Sequence, residues 1–210
     1  MFDPEVLKEA VRKGNAASVE ENVRAALDQE ADAADILDRG LIAGMEVVGD
    51  RMEKEEMFIP EVLLAAKAMA AGLEVLKPLL GEEAANARGR AVIGTVRGDL
   101  HDIGKNLVAT MLESGGMEVV DLGVNVSPEA FVDHVRENHP HLLCLSALLT
   151  TTMPMMEKTL LALKEAGLRN RVKVLVGGAP VTRKFAEQIG ADGYAEDAAS
   201  ATKLAKSLLK

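Results

Sequence analysis

Aromatic residues are scarce in this chain of 210 residues, which contains four Phe, one Tyr and no Trp. Its core must therefore be built from aliphatic side chains and methionine, which are plentiful because 48% of the residues are hydrophobic. A single cysteine excludes an internal disulfide framework and a cysteine-rich zinc or iron–sulfur centre. No apolar run approaches the roughly 20 residues of a membrane-spanning helix, so we expect no membrane association.

Positive charge is also in deficit. The formal net charge is −9, and the chain lacks the clusters of Lys and Arg that contact phosphates, so nucleic-acid binding is not expected. The N-terminal segment is acidic and amphipathic and has no apolar signal core, which favours a cytoplasmic protein.

The two halves of the chain differ in charge, in amino-acid composition and in hydrophobic pattern. Up to Arg88 there are 19 acidic and 10 basic residues, whereas from Gly89 onward there are 14 of each. The first half is rich in Ala, Leu, Glu and Met, and the second alternates short runs of Val, Ile and Leu with helical patterns. We predict a helical domain over residues 1–88 and an α/β domain over residues 89–210, with the boundary in the segment Gly81–Arg90.

Apolar residues at helical spacing predict four helices in the first half. The first begins at Pro4, the second is capped by Ser18, the third runs from Ala33 to Val48, and Pro60 opens the fourth. Amphipathic helices with short connections predict a four-helix bundle.

An apolar turn connects the third and fourth helices of this bundle. It contains Met52, Met57, Phe58 and Ile59. Such a turn is either part of the core or a lid over a flat apolar ligand.

Five short apolar runs alternate with helical patterns in the second half. The predicted strands are residues 91–96, 118–122, 142–145, 172–176 and 192–195. This alternation predicts a flavodoxin- or Rossmann-like parallel sheet with right-handed crossovers. Because such sheets bind ligands beyond the carboxyl ends of their strands, functional residues are expected in the loops that follow the strands.

The loop after the first strand contains one imidazole with a nearby carboxylate. Its sequence, Gly98-Asp-Leu-His-Asp-Ile-Gly104, matches neither the dinucleotide fingerprint nor the Walker A pattern. His101 with Asp99 is an arrangement that holds a metal ligand together with its hydrogen-bond partner. One histidine cannot hold a free ion, so a metal would arrive inside a larger cofactor. The alternative is a local hydrogen bond in a loop whose Gly104 allows close helix packing.

Hydroxyl groups and glycines follow the third and fourth strands. Ser146 and Thr150–Thr152 come after the third strand, where helix capping would also explain the hydroxyls. A receiver domain would have its phosphate-accepting Asp at the position of Ser146, which counts against that class. After the fourth strand, Gly177-Gly178 either lets a ligand approach the backbone or forms an ordinary tight turn.

The combination of three motifs resembles a known family. Asp99-x-His101-x-x-Gly104, Ser146-x-Leu148 and Gly177-Gly178 are similar to the signature of the cobalamin-binding proteins, which include methionine synthase and the B12-dependent mutases. A preceding helical bundle narrows the resemblance to methionine synthase and to the free-standing corrinoid proteins of methylamine, methanol and methoxy-aromatic methyltransferases.

The resemblance implies a cobamide cofactor, either methylcobalamin or a related corrinoid with another lower base. His101 would be the metal ligand on the lower face of cobalt, Asp99 its hydrogen-bond partner and Thr152 a hydroxyl that extends the relay. Met52, where the family often has Phe, and Ile59 would cap the upper face. The residues implied around the cofactor and its nucleotide tail are Gly98, Asp99, Leu100, His101, Asp102, Ile103, Gly104, Ser146, Leu148, Thr150, Thr152, Gly177, Gly178 and Ala198.

The implied function is that of a methyl carrier rather than a stand-alone enzyme. Cobalt(I) would accept a methyl group through a substrate-specific methyltransferase, and a second methyltransferase acting on tetrahydrofolate or coenzyme M would remove it. Two alternatives remain: a cobamide-binding sensor, and a flavodoxin-like module for another ligand. A homo-oligomer is compatible with the sequence, and donor and acceptor specificity would reside in the partner enzymes.

Overall fold

The computed structural model describes residues 2–80 and 89–209, which form two compact units. The predicted boundary at Gly81–Arg90 lies almost wholly outside these ranges, so the domain limits stay a prediction. Within the two ranges no helix is long and apolar enough to cross a membrane.

The first unit is helical. Its elements are α1 (Pro4–Arg12), α2 (Ala16–Asp28), α3 (Ala33–Asp35), a π-helical segment (Ile36–Ile42), α4 (Ala43–Glu53) and α5 (Ile59–Leu76). The helix α1 begins where the Asp3 carboxylate accepts the N–H of Glu5 at 3.0 Å, with Pro4 in the first position. The helices bury an aliphatic and methionine-containing core, as the scarcity of aromatics requires; it includes Leu7, Val11, Val23, Leu41, Met45, Val62 and Met69.

Two details of the predicted bundle were wrong. The side chain that caps α2 is Asn15, whose Oδ1 accepts the N–H of Ser18 at 3.1 Å, so Ser18 lies inside the helix. The third predicted helix extends beyond Val48 to Glu53 and contains the π-helical segment. A hydrophobic period shows which side of a helix is buried, but it does not show where the backbone changes from i→i+4 to i→i+5 hydrogen bonds.

The second unit is an α/β domain, and it confirms the predicted fold class. Its elements are β1 (Arg90–Thr95), α6 (Ile103–Ser114), β2 (Glu118–Asp121), α7 (Pro128–Asn138), β3 (Leu142–Ser146), α8 (Pro154–Glu165), a 3-10 turn (Arg169–Arg171), β4 (Lys173–Gly177), α9 (Arg183–Ile189), β5 (Gly193–Ala195) and α10 (Ala198–Leu208). All strands are parallel, in the order β2-β1-β3-β4-β5. Each strand lies within one or two residues of its predicted position.

The sheet is covered on both faces by apolar clusters. Cys144 lies in the central strand β3, where burial raises the pKa of its thiol to about 12. Since the thiolate is the reactive form, this cysteine is chemically inert in the folded protein.

The strand order places a crevice beside β1. The chain leaves β1 toward β2 on one side and returns to β3 on the other, so the switch point of the sheet lies between β1 and β3. Thr95 at the end of β1 pairs with Ser146 at the end of β3. The loops that follow these two strands therefore leave the sheet side by side.

Candidate functional site

A buried carboxylate joins the two loops at the switch point. Asp99, in the loop after β1, is fully buried. Its Oδ2 accepts the N–H of Leu148 at 2.8 Å and the hydroxyl of Thr152 at 2.7 Å, both from the loop after β3. The Thr152 hydroxyl also lies 2.9 Å from the carbonyl oxygen of Leu149, but the charged carboxylate is the stronger acceptor.

The other carboxylate oxygen binds His101. Asp99 Oδ1 lies 2.6 Å from Nδ1 of the imidazole and accepts the main-chain N–H of the same residue at 3.1 Å. Burial raises the pKa of Asp99, but the hydrogen bonds from His101, Thr152 and Leu148 outweigh it and hold this pKa well below its ordinary range. Asp99 is therefore ionised at neutral pH and can only accept a hydrogen bond, so in the neutral tautomer of His101 the proton lies on Nδ1 and the lone pair on Nε2.

The imidazole stands on an exposed apolar surface. Its side chain is 51% exposed, and its neighbours Leu100 and Ile103 are 71% and 80% exposed. A Cβ added to Gly104, in the first turn of α6, would meet no atom of the described residues within 4 Å. Of the alternative interpretation, the local His101–Asp99 hydrogen bond is present, but close packing of the helix against these residues does not require this glycine. An accessible imidazole nitrogen, flanking apolar side chains and free space fit a flat apolar ligand that carries a metal.

A free ion does not fit the same place. In the described part of the chain, no group of three or more His, Cys, Asp and Glu residues could hold a metal ion. A metal bound by His101 would therefore need its other ligands from the cofactor itself, as a corrin ring provides them.

The two glycines after β4 have a different environment. Gly178 has φ +127°, and a Cβ added there would lie 1.9 Å from the carbonyl oxygen of Ala147. A Cβ on Gly177 would lie 2.9 Å from the carbonyl oxygen of Ala195. Contact with neighbouring backbone is thus sufficient to explain both glycines, and their predicted position beside a nucleotide tail stays a prediction.

The remaining residues predicted around the tail lie along the same edge of the sheet. Ser146 is half-buried and pairs with Gly177, whereas Leu148 and Thr150 are exposed in the loop that follows. Ala198 is buried as the first residue of α10, which the Asp197 carboxylate caps. Gly98 has φ +84°, and Asp102 is exposed just before α6. Their roles toward a cofactor stay predictions.

The predicted cap residues lie in the helical unit. Met52 is half-buried near the end of α4, and Ile59, the first residue of α5, is 45% exposed. Of the apolar turn between these helices, Met57 belongs to the core whereas Phe58 is 64% exposed. The turn is therefore partly core and partly an exposed apolar surface of this unit.

Sequence reasoning missed Asn125 and Thr95, which hold the His101 loop from outside it. Asn125 has φ +56°; its side-chain oxygen accepts the N–H of Gly98 at 2.8 Å, and its own N–H donates to the carbonyl oxygen of Asp99 at 3.0 Å. Thr95 donates its hydroxyl to the carbonyl oxygen of His101 at 2.8 Å. A hydroxyl at the end of an otherwise apolar strand was the available signal for Thr95.

Sequence reasoning also missed an ion pair beside this loop, between a buried lysine and an exposed carboxylate. Lys105, in the first turn of α6, is buried and pairs with Asp121 at the end of β2. The other oxygen of this carboxylate accepts the N–H of Gly123 at 2.8 Å, which ties α6 to the loop that contains Asn125.

The fold and the site define a class: an α/β domain with an accessible, carboxylate-held histidine at the switch point of its sheet, preceded by a helical unit. Comparison with known proteins agrees with this class. Two family models, each described as a B12 binding domain, match residues 89–203 and 5–77. The chain belongs to the family of B12-binding corrinoid proteins.

Individual relatives cover nearly the whole chain. Dimethylamine corrinoid protein 1 of Methanosarcina acetivorans is 49% identical over 86% of this chain and 85% of its own length. A cobalamin-binding protein from Desulfitobacterium hafniense superposes with a TM-score of 0.86 at 34% identity, covering 100% of both chains. A chain of the methanol:cobalamin methyltransferase complex from Methanosarcina barkeri gives a TM-score of 0.85 at 34% identity, covering 97% of this chain and 78% of that one.

Proposed function

We propose that this protein is a methyl carrier: it binds a cobamide through His101 and moves a methyl group between two partner methyltransferases. The observation that carries the proposal is the buried Asp99 carboxylate, which holds His101 from one oxygen and Thr152 from the other. The family assignment and the names of the relatives, which include a dimethylamine corrinoid protein and a methanol:cobalamin methyltransferase complex, support methyl transfer as the use of the site.

When bound, a cobamide supplies a cobalt atom that can accept a methyl group and release it to an acceptor. The protein contributes the imidazole of His101 as a ligand of fixed orientation. Asp99 holds the proton on Nδ1, so Nε2 is the nitrogen of the neutral ring that is left to bind a metal. Thr152 holds the second oxygen of Asp99, which keeps the carboxylate from rotating away from the ring.

The rest of the cofactor would be held by residues at the carboxyl edge of the sheet. Ser146, Leu148 and Thr150 are proposed to line the space for the nucleotide tail, with Gly177, Gly178 and Ala198 beside it. Met52 and Ile59 are proposed to shield the methyl-bearing face from water, and the exposed apolar side chain of Ile59 supports that role.

The partners in this proposal are a substrate-specific methyltransferase and a second one that transfers to tetrahydrofolate or coenzyme M. A methylated amine is the donor to test first, because a dimethylamine corrinoid protein is 49% identical to this chain. A cytoplasmic location is part of the proposal, where both partner enzymes would have access to the carrier.

The ligand assignment is tested by electron paramagnetic resonance. Apoprotein produced with isotopically labelled histidine is loaded with hydroxocobalamin and reduced to the cobalt(II) state. The unpaired electron of cobalt couples to its axial nitrogen, so the coupling pattern reports whether that nitrogen belongs to a histidine. We expect the labelled-histidine pattern for the wild type and its loss for His101→Ala.

His141→Ala is the matched control. The Nδ1 of His141 is also hydrogen-bonded, as the acceptor of the main-chain N–H of Arg90 at 3.0 Å, but His141 precedes β3 and lies at the opposite edge of the sheet. A pattern that survives in His101→Ala, or that disappears in His141→Ala, would contradict the assignment of His101. A protein that shows the pattern but transfers no methyl group with any partner pair would exclude the carrier function.

A further inference from the structure

We infer that Thr95 is a positioning residue for the His101 imidazole, an inference that rests on the proposed function. Thr95 is the last residue of β1 and is fully buried. Its hydroxyl donates to the main-chain carbonyl oxygen of His101 at 2.8 Å. It lies outside the predicted set of Asp99, His101 and Thr152, and its side chain reaches the histidine from the sheet rather than from the loop.

Each hydrogen-bonding group of His101 except Nε2 is held by one of two residues. Asp99 Oδ1 binds both the main-chain N–H and Nδ1, at 3.1 Å and 2.6 Å. Thr95 binds the carbonyl oxygen. Asp99 therefore fixes the ring and the amino side of the residue, and Thr95 fixes its carbonyl side. Together the two contacts determine the direction in which Nε2 points.

Thr95 is itself a rigid anchor. Its main-chain N–H donates to the carbonyl oxygen of Gly123, and its own carbonyl accepts the N–H of Val126, both at 2.9 Å. On the other side it pairs in register with Ser146 of β3. The hydroxyl thus connects the His101 loop to the interior of a parallel sheet.

The chemistry of the position favours this role. Among buried strand residues, valine would occupy the same volume as threonine without the cost of burying a hydroxyl. The free-energy cost of burying the threonine hydroxyl is offset only by the hydrogen bond that it makes. The acceptor of that bond is the main-chain carbonyl of His101, the proposed metal ligand.

Loss of this bond should weaken the presentation of the imidazole without removing it. A single net hydrogen bond shifts an equilibrium by a factor of about 3 to 10. In Thr95→Val loaded with hydroxocobalamin and reduced to cobalt(II), we expect the ratio of histidine-bound to histidine-free cobalt to fall by about that factor. The same labelled-histidine resonance spectrum measures the ratio.

Thr159→Val is the matched control. Thr159 is also fully buried, and its hydroxyl donates to a main-chain carbonyl oxygen, that of Met155, at 2.8 Å within α8. The substitution removes the same kind of bond and leaves the His101 loop untouched. Thr159→Val and Thr95→Ser, which keeps the hydroxyl, should both give the wild-type ratio.

The inference is overturned if Thr95→Val has the wild-type ratio of histidine-bound to histidine-free cobalt. It is also overturned if the ratio falls equally in Thr95→Val and Thr159→Val, because an equal fall would report general destabilisation. If the wild type itself lacks histidine-bound cobalt, the proposed function fails and this inference fails with it. Should Thr95→Val not fold, the ratio is compared between Thr95→Ser and Thr95→Ala, which differ by the hydroxyl alone; equal ratios would refute the positioning role.

Discussion

The loops after β1 and β4 leave the same edge of one sheet and both contain glycine, yet they are built differently. The first is organised by side chains around the buried Asp99 carboxylate, and the glycine at its far end, Gly104, has free space beside it. The second is organised by backbone contact, and Gly178 has no room for a methyl group. The space around a glycine therefore distinguishes one that backbone contact requires, such as Gly178, from one that it does not, such as Gly104.

The largest effect is expected where the backbone leaves no space. Gly178→Ala should lower the free energy of unfolding by about 3 kcal/mol or more, because φ is +127° and the new Cβ would collide with the carbonyl oxygen of Ala147. Gly190→Ala is the control: φ is +74° there, but none of the described residues has an atom within 4 Å of the new Cβ, so we expect a loss of about 1 kcal/mol. Urea unfolding measures both, and equal losses would show that the contact with Ala147 is unimportant.

A smaller but pH-dependent effect is expected at Asp99. Its carboxylate accepts four hydrogen bonds, and Asn in its place would point an amide at two donors, so Asp99→Asn should cost about 2 kcal/mol at neutral pH. Because folding lowers the pKa of Asp99, its contribution is complete above the unfolded pKa of about 4 and is lost as the pH falls toward the folded value.

The pH dependence separates the carboxylate from general packing. Urea unfolding of wild type and Asp99→Asn at a series of pH values should give a constant difference down to about pH 4. Below that, the difference should decline by about 1.4 kcal/mol per pH unit. A difference that does not change between pH 5 and pH 3 would mean that the ionised form is not what stabilises the two loops.

The smallest effect on stability is expected at Gly104. An added methyl group meets no atom, and alanine is the better helix former, so Gly104→Ala should leave the free energy of unfolding unchanged or raise it by up to about 1 kcal/mol. If the free space serves a cofactor, the affinity for hydroxocobalamin should fall in the same variant. Gly190→Ala, in a turn at the opposite edge of the sheet, should retain wild-type affinity. Unchanged affinity in Gly104→Ala would mean that Gly104 does not lie beside the cofactor.

The α/β domain could be predicted from the sequence because its signals are local. Each strand is a short apolar run, and Ser127 and Thr182 cap their helices with side-chain oxygens as capping residues commonly do. The contact between Asp99 and Thr152, 53 residues apart, was expected from a family resemblance and is present in the structure. The residues alone would not have joined them, since a hydroxyl after one strand does not show which carboxylate it will meet.

What could not be predicted depends on three-dimensional approach. Thr95 and Asn125 contact the His101 loop from a strand and from another loop, and no spacing in the sequence connects them. The use of Asn15 rather than Ser18 as a cap depends on where the preceding chain turns. The two glycines at the end of β4 were correctly predicted to lie at the carboxyl edge of the sheet. Whether they contact backbone or a ligand depends on the atoms around them, which the sequence does not specify.

The state of Cys144 has a practical consequence. It is the single cysteine of the chain, it lies inside the central strand, and its thiol is protonated far above neutral pH. Maleimide reagents need an accessible thiolate, so the native protein should resist them. An engineered surface cysteine would then be the sole labelled position, and Cys144 would not have to be replaced first. Pairs of such sites, one in each unit, would allow fluorescence energy transfer to measure the distance between the two units.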